Sequence, residues 1–235
     1  MIAGDPNVQS VELVAHALGD LCDELILVGG CAASLLIDAP TAPPPRVTYD
    51  VDLLAVVTAL RSYHALEEKF AQRGFTQDMS PDAPICRWRY REIEVDLMPT
   101  DAGILGFASR WYRAVVANAD RVALPSGMRI RLIPAPHFLA TKFEAFADRG
   151  NADVLGSHDL EDIINVIDGR PELPKEIALV SAELRAYLAE RCTALLATPH
   201  FDNYLPGLLI QDDTTADRVA LVMARLESIA ALANA

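Results

Sequence analysis

The sequence predicts an α/β (α+β) protein: a small mixed sheet with flanking helices over residues 1–133, then a C-terminal helical bundle over residues 134–235. Three observations predict this. Short apolar runs punctuated by Gly and Pro recur up to residue 133. Beyond Pro136 apolar residues return at helical spacing. Two of the early runs also carry carboxylates, in Thr48-Tyr-Asp50-Val-Asp52-Leu and Glu94-Val-Asp96-Leu.

Taken in order, residues 8–18 place Val11, Leu13, Val14, Ala17 and Leu18 on a helix that Gly19 helps to end. Glu24 to Val28 reads as a short strand running into Gly29-Gly30, and Cys31 to Ile37 as a helix of small and aliphatic residues. A strand, glycine pair and helix in succession aim free backbone N–H groups at whatever sits above the turn, which favours phosphate. Read alone, such a pair is a turn needing positive φ. Asp38 to Arg46 holds four prolines and no periodicity, and reads as a surface loop. A strand over 46–54 follows, then a helix over 59–73 with Leu60, Tyr63, Leu66 and Phe70 on one face, closed by Gly74. Strands over 85–91 and 92–98 meet at a tight connection near Arg91-Glu92, and Pro99 ends the second. Residues 104–112 predict a short helix containing Trp111. Arg121–Leu124 and Met128–Ile133 form a hairpin across Pro125-Ser126-Gly127, with Arg129 and Arg131 on one strand face. Helices are then expected over 136–147, over 157–168 with Ser157 as cap, over 174–197 opened by Pro174, and over 214–233 opened by Thr214.

Composition narrows the class of protein. A chain of 235 residues buries a good core as one domain or two small ones. Hydrophobic content of 51% and a mean hydropathy of +0.19 exclude a disordered chain. No apolar run reaches the ~18 residues that span a bilayer. Met1-Ile-Ala-Gly-Asp-Pro6 lacks a basic start and an apolar stretch, so a cytoplasmic location without a membrane partner is expected. Cys22, Cys31, Cys86 and Cys192 are widely spaced and read as buried free thiols. A net charge of −13 argues against tight non-specific binding to duplex nucleic acid. Arg46, Arg87, Arg89 and Arg91 could still form a local basic groove, since the last three alternate onto one strand face.

The chemistry centres on Asp50 and Asp52. On a strand they point the same way, about 7 Å apart. Two carboxylates side by side on an apolar strand repel each other, and a divalent cation between them resolves the conflict. Asp96 could complete the site. Glu94 shares its face, and Asp96 is preferred because it lies nearer the strand's end, where sheet-borne sites usually open. These carboxylates point to a two-metal phosphoryl-transfer centre. Lys142, on an otherwise apolar helix face, reads equally as a snorkelling surface lysine. Asp159 and Asp162, at i, i+3 beside Glu161, ordinarily serve a helix N-terminus, and His158 ordinarily lies at the surface. Trp88, Trp111 and Tyr112 read as core.

In combination these motifs resemble the nucleotidyltransferase superfamily, the DNA polymerase β-like fold, over roughly residues 24–168. Lys142 to Arg149 and His158-Asp159-Leu-Glu-Asp162 further resemble the AbiEii-like nucleotidyltransferases, toxins of toxin–antitoxin systems. Here Gly29-Gly30 replaces the common Gly-Ser, leaving Ser34 as a candidate hydroxyl, and His158 replaces a lysine. The resemblance implies an enzyme of EC 2.7.7 type that moves an NMP from an NTP to an acceptor hydroxyl and releases pyrophosphate. It implies two Mg2+ ions (Mn2+ as an alternative) on Asp50, Asp52 and Asp96, with Asp96 helping to deprotonate the acceptor. Gly29, Gly30, Ser34, Lys142 and Asp159 would bind the nucleotide, with Lys142 also catalytic. The acceptor would be tRNA or protein, with an antitoxin as partner. Two alternatives stand beside this reading: transfer to an aminoglycoside-type small molecule, which an acidic surface suits, or a non-catalytic nucleotide- or partner-binding protein keeping the fold.

Overall fold

A computed structural model describes residues 4–40, 42–149 and 154–234. Its chain divides into two compact units: residues up to 34 with 47–134, and residues 35–46 with 135–235.

The first unit is built on a mixed seven-stranded sheet in the order β3-β4-β5-β2-β1-β7-β6. Its strands are β1 (Leu25–Val28), β2 (Asp50–Ala55), β3 (Thr76–Gln77), β4 (Arg87–Tyr90), β5 (Ile93–Pro99), β6 (Asp120–Ala123) and β7 (Arg129–Leu132). β2 runs antiparallel to β1 but parallel to β5. All four residues of β1 are buried, as the central strand of a sheet covered on both faces must be. Helix α1 (Pro6–Leu18) starts where the Asp5 carboxylate accepts the Asn7 N–H at 2.8 Å, and ends at Gly19 with φ +57°. Its Val8, Val11, Val14 and Leu18 are buried. Helix α2 (Gly29–Leu36) begins at the glycine pair itself.

Helix α3 (Leu60–Gln72) buries Tyr63, Leu66 and Phe70 and leaves Leu60 in its first turn exposed. The Tyr63 hydroxyl donates to the Leu97 carbonyl at 2.7 Å, tying α3 to β5. Phe70 stacks on Phe75 and Trp88, with ring centroids 4.7 and 5.7 Å away, so Trp88 belongs to the core as expected. The helix expected over 104–112 does not form. Asp101 instead caps α4 (Ala102–Leu105), Gly106 at φ +86° stops it after one turn, and α5 (Tyr112–Asn118) starts beyond Trp111. The glycine's left-handed conformation ends the helix inside the expected window.

The second unit is helical: α6 (Ala135–Arg149), α7 (His158–Gly169), α8 (Leu173–Leu179), α9 (Ala182–Leu196), α10 (Phe201–Tyr204) and α11 (Thr215–Ala230). Its core includes Phe138, Leu139, Ile163, Ile167, Leu188, Val222 and Leu226. Ser157 caps α7, its hydroxyl accepting the Leu160 N–H at 3.3 Å. The single helix expected over 174–197 is two. Val180 turns extended, and Ser181 caps α9 by accepting the Leu184 N–H at 3.3 Å. Residues 35–46 join this unit through α7. The Asp38 and Ala39 N–H groups both donate to the Gly169 carbonyl, at 3.0 and 2.9 Å, and a Cβ on Gly169 would lie 2.6 Å from Ile37. Among the described residues no helix is long and apolar enough to cross a membrane.

Candidate active site

The parallel pairing of β2 with β5 sets Asp52 opposite Asp96 and Asp50 opposite Glu94. Period-two alternation then turns all four side chains to one face of the sheet. Carboxylate oxygens of Asp50, Asp52 and Asp96 all lie within 4.8 Å of one another. Register brings Asp96 to the other two, rather than a position at a strand's end. It lies mid-strand, and Asp50 is the first residue of β2, so the cluster sits toward the N-terminal half of these strands.

Gly29 makes room for this arrangement. It adopts φ +64°, and a Cβ there would lie 1.7 Å from Asp52 Oδ2. Asp52 therefore rests against the start of α2, where the helix dipole favours negative charge. A Cβ on Gly30 would press against Thr48 at 3.2 Å. The Thr48 hydroxyl donates to Asp50 Oδ1 at 2.7 Å, and the Thr48 N–H donates to Asn7 Oδ1 at 2.9 Å. Asn7 Nδ2 in turn donates to the Ser34 hydroxyl at 3.0 Å. Ser34 is buried and accepts this bond from Asn7.

Arg87, expected only as part of a basic groove, meets the carboxylates instead. Antiparallel pairing of β4 with β5 sets Arg87 opposite Asp96 and Arg89 opposite Glu94. The Arg87 guanidinium grips both Asp96 oxygens at 2.8 Å and Glu94 at 2.5 Å, and its Nη2 stands 3.5 Å from Asp50 Oδ2. These bonds, Asp96 foremost, hold its pKa above the ordinary arginine value. Arg89 joins Glu94 to Asp78. A signal did exist in the sequence. A hairpin turning at Arg91-Glu92 forces alternating arginines to face alternating acids, and Arg91 at φ +56° is that turn. The basic groove suggested for these arginines does not form: Arg87 and Arg89 are committed to carboxylates, and Arg91 lies by the Tyr90 ring.

No family model matches the chain, and no curated protein does. Among solved structures it is similar to the antibiotic-resistance factor ANT(2'')-Ia, with 17% identity, 82% of this chain and 96% of that one covered, and a TM-score of 0.47. It is also similar to JHP933 from Helicobacter pylori, at 13% identity, 98% and 94% coverage, and a TM-score of 0.47. A third neighbour, also from H. pylori and provisionally described as a nucleotidyltransferase, has 12% identity, 98% and 97% coverage, and a TM-score of 0.46.

The donor set itself fits a divalent cation. Hard oxygen ligands at this mutual spacing suit a hard metal ion. The negative charge of Asp50, Glu94 and Asp96 converges on Arg87, and Glu94 also meets an Arg89 shared with Asp78. That charge also reaches Cys86, whose thiol is pushed up to about 12 by burial first and by Asp96 next.

Lys142 and Asp159 lie in the helical unit. Lys142 is buried, not snorkelling: its ammonium meets Asp159 Oδ1 at 3.1 Å and Asp162 Oδ2 at 2.7 Å. Arg46 approaches Asp162 at 3.2 Å and Glu161 at 3.7 Å. His158 is exposed and pairs with Glu161 at 3.3 Å. The Arg149 side chain lies outside the described residues.

Proposed function

We propose that the chain is a Mg2+-dependent nucleotidyltransferase moving an NMP from an NTP to an acceptor hydroxyl. The observation carrying this reading is the Asp50, Asp52 and Asp96 cluster, within 4.8 Å on two parallel strands beside a glycine-opened helix. Asp50 and Asp52 would hold the divalent ions, with Thr48 fixing the Asp50 rotamer through its 2.7 Å bond. When bound, such ions supply electrostatic stabilisation of the attacking and leaving oxygens. Asp96 would take the proton of the acceptor hydroxyl at a carboxylate oxygen as the acceptor oxygen bonds to the α-phosphorus. The bond from that phosphorus to the β-phosphate's bridging oxygen then breaks, and pyrophosphate leaves. Backbone N–H groups of Gly29 and Gly30 would face phosphate.

Two acceptor classes follow from different observations. The likeness of the Lys142 and His158–Asp162 segments to the AbiEii-like toxins favours tRNA or protein, with an antitoxin as partner. The net charge of −13 favours a cationic small molecule of aminoglycoside type. The test is incubation with each α-32P-labelled NTP and Mg2+ against tRNA, total cell protein and aminoglycosides. Label on one class, with a fall on the order of 10²–10³-fold in Asp50→Asn, is expected for a group that stabilises transition-state charge. Transfer retained by Asp50→Asn overturns the mechanism. Bound NTP with no pyrophosphate released moves the protein to the non-catalytic class.

A further inference from the structure

The seat between Asp50 and Asp96 is taken by a side chain of the protein itself. Arg87 Nη2 stands 2.8 Å from Asp96 Oδ2 and 3.5 Å from Asp50 Oδ2, where a cation bridging those carboxylates would sit. Its Nε holds the other Asp96 oxygen at 2.8 Å, and its Nη1 holds Glu94 at 2.5 Å. The side chain is 18% exposed, so its charge is only partly screened by water. Asp52 lies apart from this grip, against Gly29, and no ion pair joins it to Arg87 among the described residues.

We propose that Arg87 is a tethered counter-cation that makes ion loading sequential: one divalent ion binds at Asp50 and Asp52, and the second reaches Asp96 only when the guanidinium withdraws onto Glu94. This inference rests on the metal-centre reading above. Three points support it. Metal-free, Asp50 and Asp96 would repel at this spacing, and Arg87 relieves that repulsion. A bidentate grip on Asp96 has to be broken or loosened before Asp96 can close on a bridging ion, which costs affinity at that position alone. Glu94 provides a place for the displaced charge, so withdrawal leaves no unpaired guanidinium. Arg87 is in this sense a positioning residue, acting through Asp96.

The test uses Mn2+ alone, titrated into the metal-free full chain, with bound ions counted by electron paramagnetic resonance. Wild type should take one ion tightly and a second at least about tenfold more weakly, as expected where a fixed positive charge competes for the second seat. Arg87→Gln should tighten the second ion about tenfold and leave the first nearly unchanged. Arg89→Gln, which removes the same charge outside the seat, should change the second ion by less than about threefold. Equal effects from the two variants, or a second ion unchanged in Arg87→Gln, overturn the proposal and leave the metal centre standing. No Mn2+ bound by wild type or either variant overturns both. Should Arg87→Gln not fold, the wild-type Arg87 Nε–H resonance decides the matter under Mg2+ titration. Movement with the second equivalent supports displacement, and a resonance that stays fixed overturns it.

Discussion

Two groupings of acids and bases, one in each unit, are built differently. In the helical unit Lys142 and Arg46 meet Asp159, Asp162 and Glu161, and Asp162 is 1% exposed. There the charges nearly balance, and Asp162 answers to both cations. In the sheet unit Asp50, Glu94 and Asp96 share Arg87, Glu94 also meets Arg89, and Asp50 keeps a third of its side chain exposed. The first arrangement pairs its charges within the helical unit. The second gathers three carboxylates on one guanidinium and keeps Asp50 open to water.

Breaking the balance in either place should have contrary effects on stability. Asp162→Ala leaves buried Lys142 and Arg46 short of a shared partner and should cost about 3 kcal/mol in urea denaturation. Asp52→Asn should leave metal-free stability unchanged or raise it, because it removes one member of a repelling set. Equal losses in both variants would erase the distinction. A smaller effect is expected at Gly29. Gly29→Ala adds a Cβ where Asp52 Oδ2 now lies and places an L side chain at φ +64°. It should cost about 1–2 kcal/mol in backbone strain and weaken Mn2+ binding by displacing Asp52. Wild-type Mn2+ affinity in this variant would show that Asp52 takes no part.

The smallest effect concerns the thiols, which test whether both interiors are equally closed. Cys192 in the helical unit is pushed up to about 12 by burial alone, and Cys22 and Cys86 in the sheet unit to about 11 and about 12. A raised folded pKa means the thiol stays neutral in the fold while the unfolded chain ionises near 9. Stability from these groups is therefore whole below pH 9 and declines as pH rises toward 12. Ellman's reagent at pH 8 should find no reactive thiol in the native protein and four after unfolding. Early reaction of Cys86 alone would mark the sheet unit as the looser interior.

The sequence alone determined a good deal of this protein. Period-two alternation put Asp50 and Asp52 on one side of β2, the Pro125-Ser126-Gly127 turn set the hairpin of β6 and β7, and the Ser157 cap began α7. Each is a local effect of backbone geometry or a hydrogen bond spanning a few residues, so neighbours in sequence suffice to read it. The glycine at 106 and the cap at Ser181, which broke two expected helices, were equally local, but apolar periodicity ran across them and masked the breaks. What only the tertiary structure decided was pairing over distance. The parallel register of β2 with β5 brings Asp96 to Asp52 from 44 positions further along the chain, and Asn7 reaches Thr48 and Ser34 from another helix. The same holds for Lys142, whose partners Asp159 and Asp162 come from a neighbouring helix and bury what sequence position alone leaves at the surface. Sheet order and helix packing are set by the whole core at once, so no single stretch of chain encodes which charges will meet.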